Sequence, residues 1–190
     1  MIRNKQYDEK TKDLIREIGL LTAKPAIYLA NIDIDNKDKE EEKKLREDLK
    51  NMAKKESAEY IEIDAEVESE IVNLTKEEQI EYYKEMGIEE KGLEKIILTS
   101  KKVLGLISFL TSMPAETKSW VAKNGINAVE AAGMIHSDMA KGFIKAEIVN
   151  YNDLIKAGSF HMAKENGRIK IEGREYIVEE GDVIHFKFNL

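Results

Sequence analysis

Apolar positions in this chain come in two kinds, stripes at helical spacing and short runs of strand length. Leu14, Ile15 and Ile18 recur every three to four residues, which predicts a helix over 8–18. After Pro25, the run Ala26 to Ala30 has the length and character of a strand. The segment 37–56 is highly charged, with Leu45, Leu49 and Met52 on one narrow face, and reads as a second helix. Glu59 to Ile63 makes a second strand. Strand, helix, strand at this spacing is a βαβ unit, so the two strands are expected to be parallel with a right-handed crossover. The helix over 8–18 is the natural cover for their second face.

Thr75, Lys76, Glu77 and Glu78 spell a capping box, which starts a helix that runs to Met86 and stops at Gly87. Leu93 to Val103 reads as a further helix, and Gly105 marks a boundary. Beyond it, Leu106 to Leu110 is β-rich, Asn127 to Ile135 is helical and Phe143 to Val149 is a strand. Tyr176 to Phe188 reads as two strands joined by a turn at Glu180 and Gly181. Within it Val183, His185 and Lys187 alternate with Ile184, Phe186 and Phe188, which directs His185 towards solvent or a partner. A small sheet wrapped on one helix is the architecture these elements predict.

Composition narrows the classes. With 42% hydrophobic and 35% charged residues over 190 positions, the chain is typical of a globular protein with one medium or two small cores. No apolar run approaches the roughly 18 residues of a membrane span. Met1 to Asp8 lacks the apolar core of a signal peptide, so a cytoplasmic protein is expected. There is no cysteine, hence no disulfide and no thiolate metal site. The net charge of −7 argues against general DNA or polyanion binding. Residues 105–190 hold ten Lys and Arg against eleven Asp and Glu, so nearly all the excess lies before them. A nucleic-acid contact would have to use a local patch there.

Three stretches carry a family likeness: Ala131 to Asp138 (AAGMIHSD), Lys141 to Glu147 (KGFIKAE) and Arg174 to Phe188. They resemble the C-terminal TGS domain of the YchF/Obg-like ATPases, a branch of the P-loop GTPases. Leu21 to Asn31 is similar to that family's base-recognition strand. The resemblance covers nearly the whole chain, but as the C-terminal half of the family alone. It implies an α+β fold: an orphan βαβ remnant of a P-loop α/β domain with helices at 1–104, then a β-grasp (TGS) domain at 105–190.

Phosphoryl transfer needs a Gly-rich loop, a lysine and a Ser or Thr for magnesium. The nearest spacing is Gly87 to Gly92, where Leu93 stands in the lysine's place. This chain by itself is therefore expected to be no enzyme and to hold no cofactor, although the full-length family uses ATP or GTP with magnesium. The family's Asn-Val-x-Glu element reads Asn31, Ile32, Asp33, Ile34 here, so the acidic position is lost. Its Ser-Ala-x-x-Glu element reads Asp64, Ala65, Glu66, Val67, Glu68, so a hydroxyl donor is lost. The resemblance makes Asn31, Ile32, Asp64 and Ala65 base-binding candidates; the plainer role for Asn31 is to turn the chain after a strand.

Two other groups hold candidate chemistry. His136 and Asp138, with Glu147 or His185, have the residue types of an acid–base or metal set, and equally of a hydrogen-bonded turn. Lys118, Trp120, Lys123 and Lys145 mix an aromatic with positive charge, as an RNA-facing partner surface does, although a lone Trp also suits a partly buried core. The resemblance implies a non-catalytic binding module that contacts the ribosome or a translation factor. The alternative is half of a split or truncated ATPase completed by a P-loop half in trans, and a third reading is a free-standing hydrolase using His136 and Asp138. An open strand edge in 1–104 would favour self-association or pairing with that missing half.

Overall fold

The computed structural model describes residues 2–33, 39–88, 91–113 and 116–189. Ile34 and the first two positions of the 37–56 segment, discussed above, lie outside these residues. Contacts divide the chain into two compact units, Met1–Leu104 and Gly105–Leu190.

In the first unit, Asp8 accepts the Thr11 N–H at 2.8 Å and so caps helix α1 (Glu9–Ile18), which Gly19 ends in the left-handed region. Strand β1 (Ile27–Asn31), helix α2 (Glu40–Lys55) and strand β2 (Glu59–Ile63) follow. The two strands are parallel, Ile27 lying opposite Glu59 and Asn31 opposite Ile63. Helices α3 (Ala65–Ile71), α4 (Lys76–Glu85) and α5 (Gly92–Val103) complete the unit. Thr75 and Glu78 form the capping box of α4 reciprocally.

Side-chain alternation shows what covers the small sheet. Tyr28 and Tyr60 are register partners and share a face with Glu62. On that face the Tyr28 hydroxyl donates to Glu56 at the end of α2 (2.7 Å), and Arg46 of α2 donates to Glu62 (3.4 Å). On the other face Glu59 meets Lys102 of α5 at 2.8 Å. Thus α2 and α5 cover the two faces, a place the sequence assigned to α1; Leu14 and Ile18 of α1 are exposed. The stripe of α2 is also shifted. Ala53 is buried, whereas Leu45 and Met52 face solvent, because polar Tyr28, Tyr60 and Glu62 admit a small residue and an arginine rather than leucines.

The second unit contains strands β3 (Leu106–Met113) and β4 (Glu116–Lys123), helices α6 (Ala128–Ile135) and α7 (Ser137–Lys141), and strand β5 (Phe143–Asn150). Helices α8 (Tyr151–Ala157) and α9 (Phe160–Glu165) precede strands β6 (Lys170–Glu172) and β7 (Asp182–Phe188). The sheet order is β4-β3-β7-β5-β6, with β3 and β7 parallel and every other pair antiparallel. One face buries Phe109, Ile148, Ile184 and Phe186 against Ala128, Ala131 and Ala132 of α6. The opposite face buries Val149 and Val183 against Ala163 of α9, with Leu154 and Phe160 beside them. Helices therefore lie on both faces, where the sequence pattern predicted one.

The stretch before β7 is not a strand. Asp182 accepts the Glu179 N–H (2.9 Å) and the Tyr176 hydroxyl (3.0 Å), which curls residues 176–181 into a loop. That loop runs along the start of α6 instead, where the Ala128 N–H donates to the Tyr176 carbonyl at 2.8 Å.

Candidate functional site

The C-terminal ends of β1 and β2 bring together all four base-binding candidates. Asn31 Oδ1 accepts the Ala65 N–H at 3.0 Å, tying the end of one strand to the first residue of α3. Because that bond fixes the amide's orientation, its NH₂ edge points away from Ala65 as a donor. Ile32 donates its N–H to the Ile63 carbonyl at 2.8 Å, extending the parallel ladder by one residue. Asp64 caps α3, its Oδ1 accepting the Glu66 and Val67 N–H groups at 3.0 Å each. The first three amides of α3 are thus all taken, by Asn31 and by a carboxylate that repels phosphate. These residues do not fit a nucleotide's phosphates; they fit a braced loop with one outward amide.

Glu68, the last position of the same motif, turns inward. Its Oε1 accepts the Gly92 N–H at 2.6 Å and its Oε2 accepts the Tyr83 hydroxyl at 3.3 Å, so one carboxylate joins α3, α4 and α5. Burial beside that charge pushes the Tyr83 phenol up to about 12. A Cβ on Gly92 would meet Glu68 Oε1 at 2.8 Å, which is why the start of α5 carries no side chain.

His136 and Asp138 form a hydrogen-bonded turn in which the histidine, not the aspartate, is the acceptor. His136 Nδ1 accepts the Asp138 N–H at 3.2 Å, so the histidine caps α7 and the aspartate supplies the backbone donor. The Asp138 carboxylate lies between His136 Nδ1, 3.5 Å away, and Lys141 Nζ, 3.8 Å away. Among the described residues no group of three or more His, Cys, Asp and Glu is arranged to hold a metal ion.

The four residues read as one basic and aromatic surface are spread over the sheet. Trp120 packs against the α6-side core and donates its indole N–H to Thr111 Oγ1 at 3.0 Å, so it is a structural residue here. Lys118 shares its face but lies further out on β4, 3.5 Å from Glu116. Lys123, three residues past Trp120 on the strand, points to the opposite face. Lys145 sits on β5 and reaches Glu147 at 3.9 Å.

Sequence reasoning named Glu147, His185 and Lys145 in separate sets but did not bring them together with Lys164 and Lys187. The Glu147 carboxylate is buried on the α9-side face, with Lys164 at 3.5 Å and Lys145 and Lys187 each at 3.9 Å. His185 lies opposite it in register on β7. It is half-buried with its ring 6.1 Å from that of Phe160, not turned to solvent, since α9 covers this end of the strand. An ammonium can only donate, so His185 Nε2, 3.2 Å from Lys187 Nζ, is the acceptor of a neutral ring. Burial first, and then the Lys187 charge, lowers its pKa below 6.5. Burial likewise raises the Asp182 carboxyl, and burial plus the Asp182 charge raises the Tyr176 phenol well above its ordinary value.

A two-stranded parallel unit with a braced loop at its C-terminal edge, and a separate mixed sheet with helices on both faces, define a mixed α/β chain of two units. Residues 106–189 match the family described as YchF-GTPase_C, "Protein of unknown function (DUF933)". The chain is 42% identical over 192 residues to the "Ribosome-binding ATPase YchF" of Bacillus subtilis, covering 99% of this chain and 51% of that protein. It is 38% identical to the protein of the same name from Haemophilus influenzae, covering 100% of this chain and 52% of that one. The solved Schizosaccharomyces pombe YchF GTPase superposes with a TM-score of 0.80 at 32% identity, over 97% of this chain and 49% of that one. Residues 106–189 therefore match the YchF-GTPase C-terminal family, and the chain as a whole is similar to the YchF ATPases. It spans about half the length of the curated relatives it matches.

Proposed function

We propose that this chain is the non-catalytic C-terminal half of a YchF/Obg-like ATPase, working in the cytoplasm as a docking module for the ribosome or a translation factor. In this reading residues 1–104 are the end of a nucleotide-binding domain and 105–190 are a TGS domain of β-grasp type. The observation that carries it is the full-length likeness to proteins named ribosome-binding ATPases, confined to half of their length. The sheet of the second unit, with its first and last strands paired in parallel and α6 laid across one face, agrees with the β-grasp assignment.

ATP or GTP with magnesium belongs, in this proposal, to the full-length relatives. Among the described residues the amide of Asn31 offers a base-reading group at the β1 end, and the first three α3 amides are occupied. Two measurements test the reading. The chain should pellet with ribosomes at low salt and be released at high salt; failure to pellet at low salt overturns the docking role. Calorimetry with ATP or GTP and magnesium should show no micromolar binding, since about 8 kcal/mol would then have to come from a site without a phosphate cradle.

A second reading rests on a separate observation. Leu14, Ile18 and Leu21 are exposed on and beside α1, and the β1–β2 pair has no third strand among the described residues. A P-loop half supplied in trans would cover such a surface and complete an ATPase. ATP hydrolysis that appears only when the two halves are mixed would establish it.

A further inference from the structure

Three ammonium groups converge on one buried carboxylate, and one is enough to neutralise it. Glu147 has a side chain 8% exposed, whereas those of Lys145, Lys164 and Lys187 are 40%, 60% and 42% exposed. Their stems lie along the protein and their heads reach water. The group therefore carries a local excess of two positive charges, in a chain whose net charge is −7. Its placement is fixed by the fold. Lys145 and Lys187 are register partners on β5 and β7, and Lys164 comes from α9 above them. Glu147 holds all three heads within 3.9 Å of its carboxylate, which leaves most of their nine N–H donors for a second anion.

We propose that this lysine triangle, anchored on Glu147, binds a phosphate of the RNA backbone and is the point at which the second unit touches ribosomal RNA. The assignment rests on the ribosome reading and deepens it, moving the contact from the Trp120 region to the α9 side of the sheet. The acidic remainder of the chain limits the footprint, because an extended track of phosphates would meet repulsion outside the patch. A contact with one to three phosphates is what the charge distribution supports.

The test uses the full chain, a short labelled RNA hairpin and purified ribosomes. Binding to the hairpin should weaken with salt, and in the combined Lys145→Gln, Lys164→Gln, Lys187→Gln variant the log–log slope should fall by about 1–3. Hairpin affinity at low salt should drop roughly tenfold or more. Arginine at the same three positions should retain binding, and Lys141→Gln, on the α7 helix, should leave it unchanged. If the triple variant fails to fold, Lys164→Gln alone still leaves Glu147 two partners and should reduce the slope by about 1. Hairpin binding that ignores these substitutions, or that the wild type lacks, overturns the site. Loss of pelleting without any hairpin binding also overturns it, since the lysines would then meet a ribosomal protein. Lysine-dependent hairpin binding without pelleting sustains the site and removes the ribosome reading. Pelleting unaffected by the triple substitution does the reverse.

Discussion

At the scale of single residues, the same side-chain types take opposite roles according to what surrounds them. His136 is exposed and spends its ring nitrogen on a helix cap, while His185 is half-buried beside an ammonium. The second has a measurable consequence. The folded pKa of His185 lies below its unfolded value of about 6.5, so near that pH the unfolded chain binds the extra proton more readily. The stability this residue contributes is therefore complete above about 6.5 and declines as pH falls through the window below it. An NMR titration should place the His185 midpoint below that of an unstructured histidine. His185→Gln should flatten the acid-side loss of melting temperature, and a midpoint at or above 6.5 would contradict the geometry.

At the scale of elements, caps and glycines carry much of the local information. Thr75 and Glu78 satisfy two amides at the start of α4, so Thr75→Ala should cost about 1 kcal/mol in denaturant unfolding, with the loss confined to the first unit. This cap, the Gly87 stop and the parallel β1–β2 pair were all legible in the sequence, because each depends on neighbours a few residues apart. Other elements were not. Strand β4 shows little apolar alternation, since only Trp120 and Ala122 turn inward and its other residues are exposed on an edge. Strand β6 has three residues, too few for any period to show. Residues 176–181 look like a strand in composition, yet the Asp182 carboxylate gathers them into a loop, an interaction no periodicity encodes. The positions of Asn31, Ile32, Asp64 and Ala65 could be read from the sequence because they sit at strand ends. The Glu147 group could not, since it joins β5, β7 and α9 across about forty residues.

At the scale of the whole molecule, the two units differ in how completely they bury themselves. The second has fully buried Phe109, Ile148, Ile184 and Val183 at its centre, whereas the first exposes Leu14, Ile18, Leu21, Leu45 and Leu98. Hydrogen exchange should accordingly be slower in β3, β5 and β7 than in β1 and β2, and light scattering should detect concentration-dependent association through the first unit. A monodisperse monomer with equal protection in both units would contradict this. The parallel pairing of β3 with β7, described as a matter of sheet order, also sets how the second unit bears load. Leu106 opens β3 and Phe188 closes β7, and the two strands run in the same direction side by side. A pull applied at those two residues draws the strands along each other, so their shared hydrogen bonds are strained together in shear rather than opened singly as in a zipper. The second unit is in this sense a mechanical clamp: it yields to tension between its ends only when the middle of its sheet slides as one.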